Sequence, residues 1–557
     1  MRVSACLLLC LVVVKCVDGQ TVSSPLAGFL QTVVDAFPVI CDVFFSVFGE
    51  VNETAFQTAL SAALRLVDLA FPAKPLPRVP EPWWGDHAKR DTSVRRFTVH
   101  FSDEMITDLR HRIHNRRNLT HPLHNAGNTY GTHAGYLAHF LDYWANGYDF
   151  GAREDWLNSF PQSITNIQGL DIHFIHARAP NPHGKKVLPL LMLHGFPVTA
   201  FEFVYVIQDL MEERDDCDFV FEMIVPHLPG YGYSEVRKIN FSSNIEEAEA
   251  TYKIGMAPYQ MGIIMKNLML RLGKPQFYIH AGDVGQAVGD AIAVLFPERV
   301  LGLHTNFPFS TRPRTMAKLL LGQLYPPAVV EAQYEDRLYP LTARLKFYLE
   351  NFGYFHMQAS KPDNVGHGLD DSPVAHASWL IQNLIMATDV AGERLIDGNL
   401  SANYNMDDFY DSFTVHWACR SMTTAARSYA EALAVHQDPL SMSTGKGSYT
   451  VHWTCQSTTT AYVEALAFCF YLYCLQCYAI RLNNYFNRTP TPVPFAAINF
   501  RHELIYQPDD FLRDKYPNLV QSNTLDFGGH FAGYQEPEVL ADSIRTAVAK
   551  MEQFHGN

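Results

Sequence analysis

Three side chains in this sequence have the types and the chain order to carry a nucleophilic displacement: Asp283, Glu503 and His530. Asp283 lies in "YIHAGDVGQAVGD" (278–290), where an apolar run turns abruptly at Gly282–Gly285 and continues into a helix-like segment. That pattern predicts a strand, a sharp turn and a helix. The turn would present the Asp283 side chain at the end of the strand, where other proteins place a serine, yet the chain holds no G-x-S-x-G. The difference matters chemically. A serine hydroxyl attacks acyl carbon, whereas a carboxylate, ionised at neutral pH, can displace at an sp3 carbon and form an ester. Glu503 follows "PFAAINF" and His530 follows "LDFGG", each at the end of a predicted strand. An imidazole suits the base that activates water against the ester, and a carboxylate behind it orients the ring and stabilises its protonated form. "HGFP" (194–197) follows a further predicted strand, so the backbone N–H groups of Phe196 and Val284 are expected to form an oxyanion hole. Epoxides and alkyl halides have the alkyl carbon that such a set opens.

The elements that must position these residues show in the hydrophobic pattern. "IQGLDIHFIHAR", "VLPLLMLHGFP" and "FEMIVPHLPGYGYSE" predict strands, and "TAFEFVYVIQDLMEE" and "APYQMGIIMKNLMLRLG" predict helices between and after them. Alternation of this kind implies βαβ units and a mostly parallel sheet, in which ligands bind at the carboxyl ends of the strands. The sheet pattern breaks at about residue 310, gives way to mainly helical sequence up to about 490, and returns with "PTPVPFAAINF" and "NLVQSNTLDFGG" before a closing helix in "EPEVLADSIRTAVAKMEQF". One internal repeat falls in the helical stretch: "TVHWACRSMTTAARSYAEALA" (414–434) recurs as "TVHWTCQSTTTAYVEALA" (450–467). A single recurrence is a local duplication and no solenoid. Upstream, residues 81–165 are mainly helical, with Ser102 as the expected cap of "DEMITDLRHRI". Residues 20–80 read as amphipathic helices followed by the proline-rich "PAKPLPRVPEP"; their apolar faces suit either a membrane surface or the main body.

Composition narrows the partners. The chain has 557 residues, is 48% hydrophobic and carries a formal net charge of -14, with no basic stripe that would neutralise a nucleic acid. "MRVSACLLLCLVVVKCVDG" has the short positive start and the apolar core of a secretory leader, and residues 1–19 are expected to act as a signal peptide or a retained anchor. The expected location is the microsomal membrane of the endoplasmic reticulum, or the secretory pathway if the leader is cleaved. Glycosylation sequons begin at Asn52, Asn118, Asn240, Asn399 and Asn487. Of ten cysteines, three lie in the leader; the other seven read as buried thiols, and "CFYLYCLQC" lacks histidine partners at metal-ligand spacing.

Longer stretches make the resemblance specific. "PWWG", "VHFSDEMITDLRHRI", "IQGLDIHFIHAR", "LLMLHGFP", "PGYGYSE", "RLGKPQFYIHAGDVG", "YFHMQASKPDNVGHGLDDSPV" and "RDKYPNLVQSNTLDFGGHFAGYQEPEVLADSIR", in this order over about residues 80–550, resemble the microsomal-type epoxide hydrolases, the group that includes the insect juvenile-hormone epoxide hydrolases. The resemblance implies an α/β-hydrolase core, a mostly parallel sheet flanked by helices, with an α-helical lid and an N-terminal helical arm. The core is expected in residues 166–310 and 491–557, and the lid in residues 311–490. It implies Asp283 as nucleophile, His530 as general base and Glu503, in "FRHEL", as the acid behind it. It further implies two lid tyrosines that donate to the epoxide oxygen: Tyr354 in "GYFHMQ" and Tyr429 in "RSYAE". Tyr462 is the counterpart of Tyr429 in the second repeat copy, where the arginine spacing is lost. A phenol suits the role, because the leaving alkoxide needs a hydrogen bond or a proton. The chain departs from the family in having Phe196 and Val284 where indoles are usual, which is expected to reshape the substrate wall while leaving both backbone donors. The implied reaction is hydrolysis of a lipophilic epoxide to a vicinal diol, with water and no cofactor or metal. A haloalkane dehalogenase would want indole donors for the halide, and the two missing indoles disfavour it. A catalytically inactive binder of lipophilic ligands is the reading from another class, motivated by the duplicated lid and opposed by the intact Asp283, Glu503 and His530.

Overall fold

Short apolar segments of this chain pair into one sheet because their backbones have no other way to satisfy buried N–H and C=O groups. The computed structural model describes residues 53–72, 76, 78–85, 91–180, 183–236, 256–433 and 489–556. The leader, the first predicted amphipathic helix and the second repeat copy lie outside these residues. In chain order come α1 (Glu53–Ala70), β1 (Arg95–Arg96), α2 (Asp103–His114), α3 (Ala134–Asn146), α4 (Phe150–Asn158), β2 (Gln162–Ile167), β3 (Leu170–Arg178), β4 (Lys186–Leu193), α5 (Val204–Met211), β5 (Phe219–Pro226), α6 (Pro258–Arg271), β6 (Phe277–Ala281), α7 (Asp283–Leu295) and β7 (Val300–Thr305). A helical insertion follows: α8 (Pro313–Gly322), α9 (Leu341–Asn351), α10 (Gly353–Ser360), α11 (Pro362–Asp371), α12 (Pro373–Thr388), α13 (Met406–Cys419) and α14 (Met422–Leu433). The chain then returns to the sheet with β8 (Phe495–Asn499) and β9 (Leu519–Thr524) and ends in α15 (Pro537–Gly556).

The sheet order is β1-β2-β3-β5-β4-β6-β7-β8-β9. Its first three neighbouring pairs are antiparallel and its last five parallel. In β5, β6 and β8 every residue is buried, so these strands are mainly apolar, each with one buried polar residue: Glu222, His280 and Asn499. Helices cover both faces: α7 and α6 pack together, and α15 packs on α5.

Two expectations change. "IQGLDIHFIHAR" is not one strand: Gln168 and Gly169 both have positive φ (50° and 88°) and turn the chain tightly between β2 and β3. The boundary expected between arm and core at 165/166 therefore falls inside β2. The helical pattern upstream is also interrupted, because Arg95–Arg96 pairs with β2 as a short edge strand. Within that arm, Ser102 caps α2, its Oγ accepting the Met105 N–H at 3.2 Å above an acidic first turn.

The amphipathic α1 faces the main body. Phe56, Leu60 and Leu64, four residues apart on one stripe, are buried with Leu319 and Leu320 of α8 and with Val329 and Val330. An Arg314–Asp68 ion pair and a hydrogen bond from Gln57 to the Ala328 carbonyl (3.1 Å) fix the helix on the root of the insertion. Among the described residues no helix is long and apolar enough to cross a membrane.

Candidate active site

Asp283 stands where β6 ends and α7 begins, with a φ of 45°. A non-glycine residue in this left-handed region is strained, and the surroundings must hold it there. Close approach of backbone does so. A Cβ on Gly285 would lie 2.2 Å from the Leu193 carbonyl oxygen, and one on Gly195 would lie 2.3 Å from Asp283 Cβ and 2.4 Å from its Oδ1. Only glycine at 195 lets the "HGFP" turn touch the carboxylate. The consequence is direct: the Phe196 N–H donates to Asp283 Oδ1 at 2.9 Å. His194 braces this turn from below. Buried completely, it is pushed down to about 4 by desolvation and stays neutral. Its Nε2 accepts the Leu228 N–H (3.0 Å) and its Nδ1 faces the Gly195 carbonyl (3.0 Å), which defines the tautomer.

His530 arrives from the loop after β9, its Nε2 3.5 Å from Asp283 Oδ2. Its Nδ1 lies 2.6 Å from Glu503 Oε1, which also accepts the Leu504 N–H at 2.7 Å. The Nδ1–H therefore points at Glu503, and Nε2 is the nitrogen that faces Asp283. Burial opposes the charged imidazolium, but Glu503 first and Asp283 next outweigh it and raise the His530 pKa well above its ordinary value. The loop is pinned from three sides. The His530 N–H donates to the Ala387 carbonyl at the end of α12 (3.0 Å), the Asn306 amide donates to the His530 carbonyl (3.3 Å), and the Phe307 ring sits edge-on to the imidazole at 5.3 Å.

The helical insertion supplies the roof. Tyr354 on α10 stacks nearly parallel to Phe196 (6.3 Å, 9°), and Tyr429 on α14 meets Phe196 edge-on at 5.7 Å. The two tyrosines are hydrogen-bonded to each other and stand 6.3 Å apart, ring to ring. Burial, reinforced by Asp283 and Glu503, raises the Tyr354 pKa, so its phenol keeps its proton. α14 is held in register by the motifs around it. Asp370 accepts from the Met422 and Thr423 N–H groups, Arg427 pairs with both oxygens of Asp363, and Thr424 donates to the Gly230 carbonyl at 2.5 Å. Thus "PGYG" and "DNVGHGLDD" serve to seat Tyr429.

Of the residues singled out by sequence, Asp283, Glu503, His530, Tyr354 and Tyr429 are brought together, with Phe196 supplying a backbone donor. The Val284 side chain is buried on the first turn of α7, and among the described residues its N–H makes no hydrogen bond to the Asp283 carboxylate, which accepts from Phe196. Tyr462 lies outside the described residues. Asn306 and Phe307 fall outside the sequence-predicted site; the signal that points to them is the short strand β7, at whose carboxyl end they lie. Glu202, the lone acid inside the apolar run after "HGFP", falls outside it as well. Among the described residues no group of three or more His, Cys, Asp or Glu is placed to hold a metal.

Relatives share this architecture. Residues 94–203 match the family described as "Epoxide hydrolase N terminus". Juvenile hormone epoxide hydrolase of Manduca sexta is 39% identical over 86% of this chain and 92% of its own length. Epoxide hydrolase 1 of Oryctolagus cuniculus is 33% identical over 85% and 93%. The crystal structure of juvenile hormone epoxide hydrolase from the silkworm Bombyx mori superposes with a TM-score of 0.72 at 32% identity, over 85% of this chain and 99% of that one. Identity of this level, sustained across almost the whole of each relative and across the same α/β-hydrolase fold, means that the chain belongs to the epoxide hydrolase family, in the microsomal-type group that includes the juvenile-hormone enzymes.

Proposed function

We propose that this epoxide hydrolase works in two steps through a covalent ester on Asp283. The observation that carries the reading is the double hold on one carboxylate: Oδ1 accepts the Phe196 N–H at 2.9 Å while Oδ2 faces His530 Nε2 at 3.5 Å. In the first step Asp283 Oδ2 attacks an epoxide carbon, the bond from that carbon to the ring oxygen breaks, and that oxygen takes a proton from the Tyr354–Tyr429 pair. Forming the ester removes the Asp283 negative charge. His530 then loses one of the two carboxylates that raise its pKa and becomes a base for water. In the second step water attacks the ester carbonyl, whose oxygen is Oδ1, already seated on the Phe196 donor. Glu503 holds the imidazolium that forms.

The substrate class we propose is a lipophilic epoxide. Phe196, Phe307, Phe352 and Phe355 surround the catalytic groups with apolar surface, which selects such ligands. Because several relatives are named for juvenile hormone, that hormone is the first natural epoxide to test. We place the enzyme at the endoplasmic-reticulum membrane or in the secretory pathway, on the strength of residues 1–19, with membrane association through that leader where it is retained.

The test is a single turnover in heavy-oxygen water with a cis-disubstituted aromatic epoxide. Diol should form, and label should enter the Asp283 carboxylate, as read by mass spectrometry of its peptide. Asp283→Ala should abolish both. A folded wild-type chain that gives neither diol nor label would instead be a binder of lipophilic ligands.

A further inference from the structure

One carboxyl beside the site has no task in the mechanism above. Glu202 sits on the short 3-10 turn Ala200–Phe203 that follows the Phe196 donor. It is 6% exposed and lies in the field of His530, Asp283 and Glu503. The histidine loop is fitted to it: a Cβ on Gly533, three residues past His530, would come within 2.9 Å of Glu202 Cγ. Two tyrosines, Tyr404 and Tyr534, stand in its field, but their hydroxyls are committed elsewhere. Tyr404 bonds Thr388 at 2.9 Å, and Tyr534 bonds Ser412 at 3.2 Å. Among the described residues the Glu202 carboxyl makes no hydrogen bond, and its oxygens are not fully sealed by protein, which leaves them open to a water. The second step of the reaction needs a water in this neighbourhood.

We propose that Glu202 is a water-positioning residue, holding the hydrolytic water beside His530 for attack on the Asp283 ester. The inference rests on the ester mechanism proposed above. In that step the water oxygen bonds to the ester carbonyl carbon of Asp283, and one water proton passes to His530 Nε2. The tetrahedral intermediate collapses by breaking the bond from that carbon to the alkyl oxygen. That oxygen takes the proton from His530 and leaves as a diol hydroxyl. The second water proton stays on the Asp283 carboxyl and passes back to the phenolate that protonated the epoxide oxygen in the first step, which restores a carboxylate carrying one oxygen from water. Glu202 accepts the second O–H of the attacking water and exchanges no proton. Its charge state suits this: burial, offset by His530 and reinforced by Asp283 and Glu503, pushes the carboxyl up to about 8. A neutral acid holds water without adding a third carboxylate that would keep His530 protonated and oppose the oxyanion. The titratable groups that face it are Asp283, Glu503, His530, Tyr404 and Tyr534.

The experiment separates the half-reactions by rapid mixing of the full chain with cis-stilbene oxide, following the mass of the Asp283 peptide and the diol. Glu202→Leu should form the ester at the wild-type rate and hydrolyse it about tenfold more slowly or worse, so that ester accumulates at steady state. Glu202→Gln, which keeps the carbonyl acceptor, should hydrolyse at close to the wild-type rate at neutral pH and lose the decline that wild type shows above about pH 8. Wild-type ester hydrolysis in Glu202→Leu, or an equal slowing of both steps as a packing defect would give, overturns the inference. If Glu202→Leu does not fold, a decline above about pH 8 that persists in Glu202→Gln overturns it. A wild-type chain that turns over without any adduct on Asp283 overturns the ester mechanism and this inference together, and is recognised by the missing adduct in the unmutated protein.

Discussion

His530 and Asp283 divide the work of the site at the scale of single residues. His530→Gln keeps a side chain of similar reach but removes the base, so ester should form and persist while diol output falls by about 100-fold or more. Mass spectrometry of the Asp283 peptide during turnover checks this. Tyr354→Phe should act on the other half-reaction, slowing ester formation and leaving hydrolysis of preformed ester unchanged, because the phenol serves only the leaving oxygen. Gly195→Ala tests the contact between turn and nucleophile. The added methyl must displace Asp283, since it would fall 2.3 Å from Asp283 Cβ. Diol formation should drop sharply, while circular dichroism shows an unchanged fold.

At the scale of elements, the duplicated lid sequence and the first helix carry the sharpest consequences. The first repeat copy forms the last part of α13 and the whole of α14 and delivers Tyr429 to Phe196 and Tyr354. Only one copy can occupy that place. Tyr429→Phe should therefore slow ester formation about tenfold or more, whereas Tyr462→Phe should leave it unchanged. Helix α1 contributes stability to the lid root. Leu60 is buried with α8, and Leu60→Ala should cost about 2–4 kcal/mol in chemical denaturation through lost burial and the cavity left behind. The lid root runs on through ring contacts from Tyr348 to Phe352 and from Phe352 to Tyr354, at 4.7 and 5.8 Å. Loosening α1 should thus raise the mobility of the segment that bears Tyr354.

For the whole molecule, the buried histidines set the response to acid. Desolvation holds His173, His304 and His416 at about 3. It is likewise the leading cause at His194 and His376, which sit at about 4. Each is neutral in the fold and takes a proton near 6.5 once unfolded, so the unfolded chain binds more protons as pH drops below that value. Stability is complete above about 6.5 and is lost as pH falls toward 4, by about 1.4 kcal/mol per group for each pH unit. Glu202, pushed up to about 8, and Asp411, pushed up to about 6, work in the opposite sense but are fewer. The midpoint of urea denaturation should fall steeply between about pH 7 and pH 5. A flat profile there would contradict neutral burial of these rings.

Chemistry-bearing residues were legible from sequence where the chemistry forces a local pattern. A turn after an apolar strand must use small residues around a presented carboxylate, so "GDVG" and "HGFP" reveal Asp283 and Phe196 without any contact being known. The strand pattern places Glu503 and His530 beyond strand ends: the buried, mainly apolar run of β8 stops before Glu503, and β9 leads into the Gly-Gly turn before His530. Long-range choices were not legible. The stripe Phe56, Leu60 and Leu64 has the same spacing whether it meets lipid or protein, and only the presence of α8 opposite it decides. Asn306 and Glu202 carry no local signature, because what makes them matter is a histidine loop more than 200 residues away in one case and more than 300 in the other. Local sterics and periodicity are properties of the chain itself. Which buried faces meet, and which polar group is left facing the reacting atoms, is decided only when distant segments exclude water together.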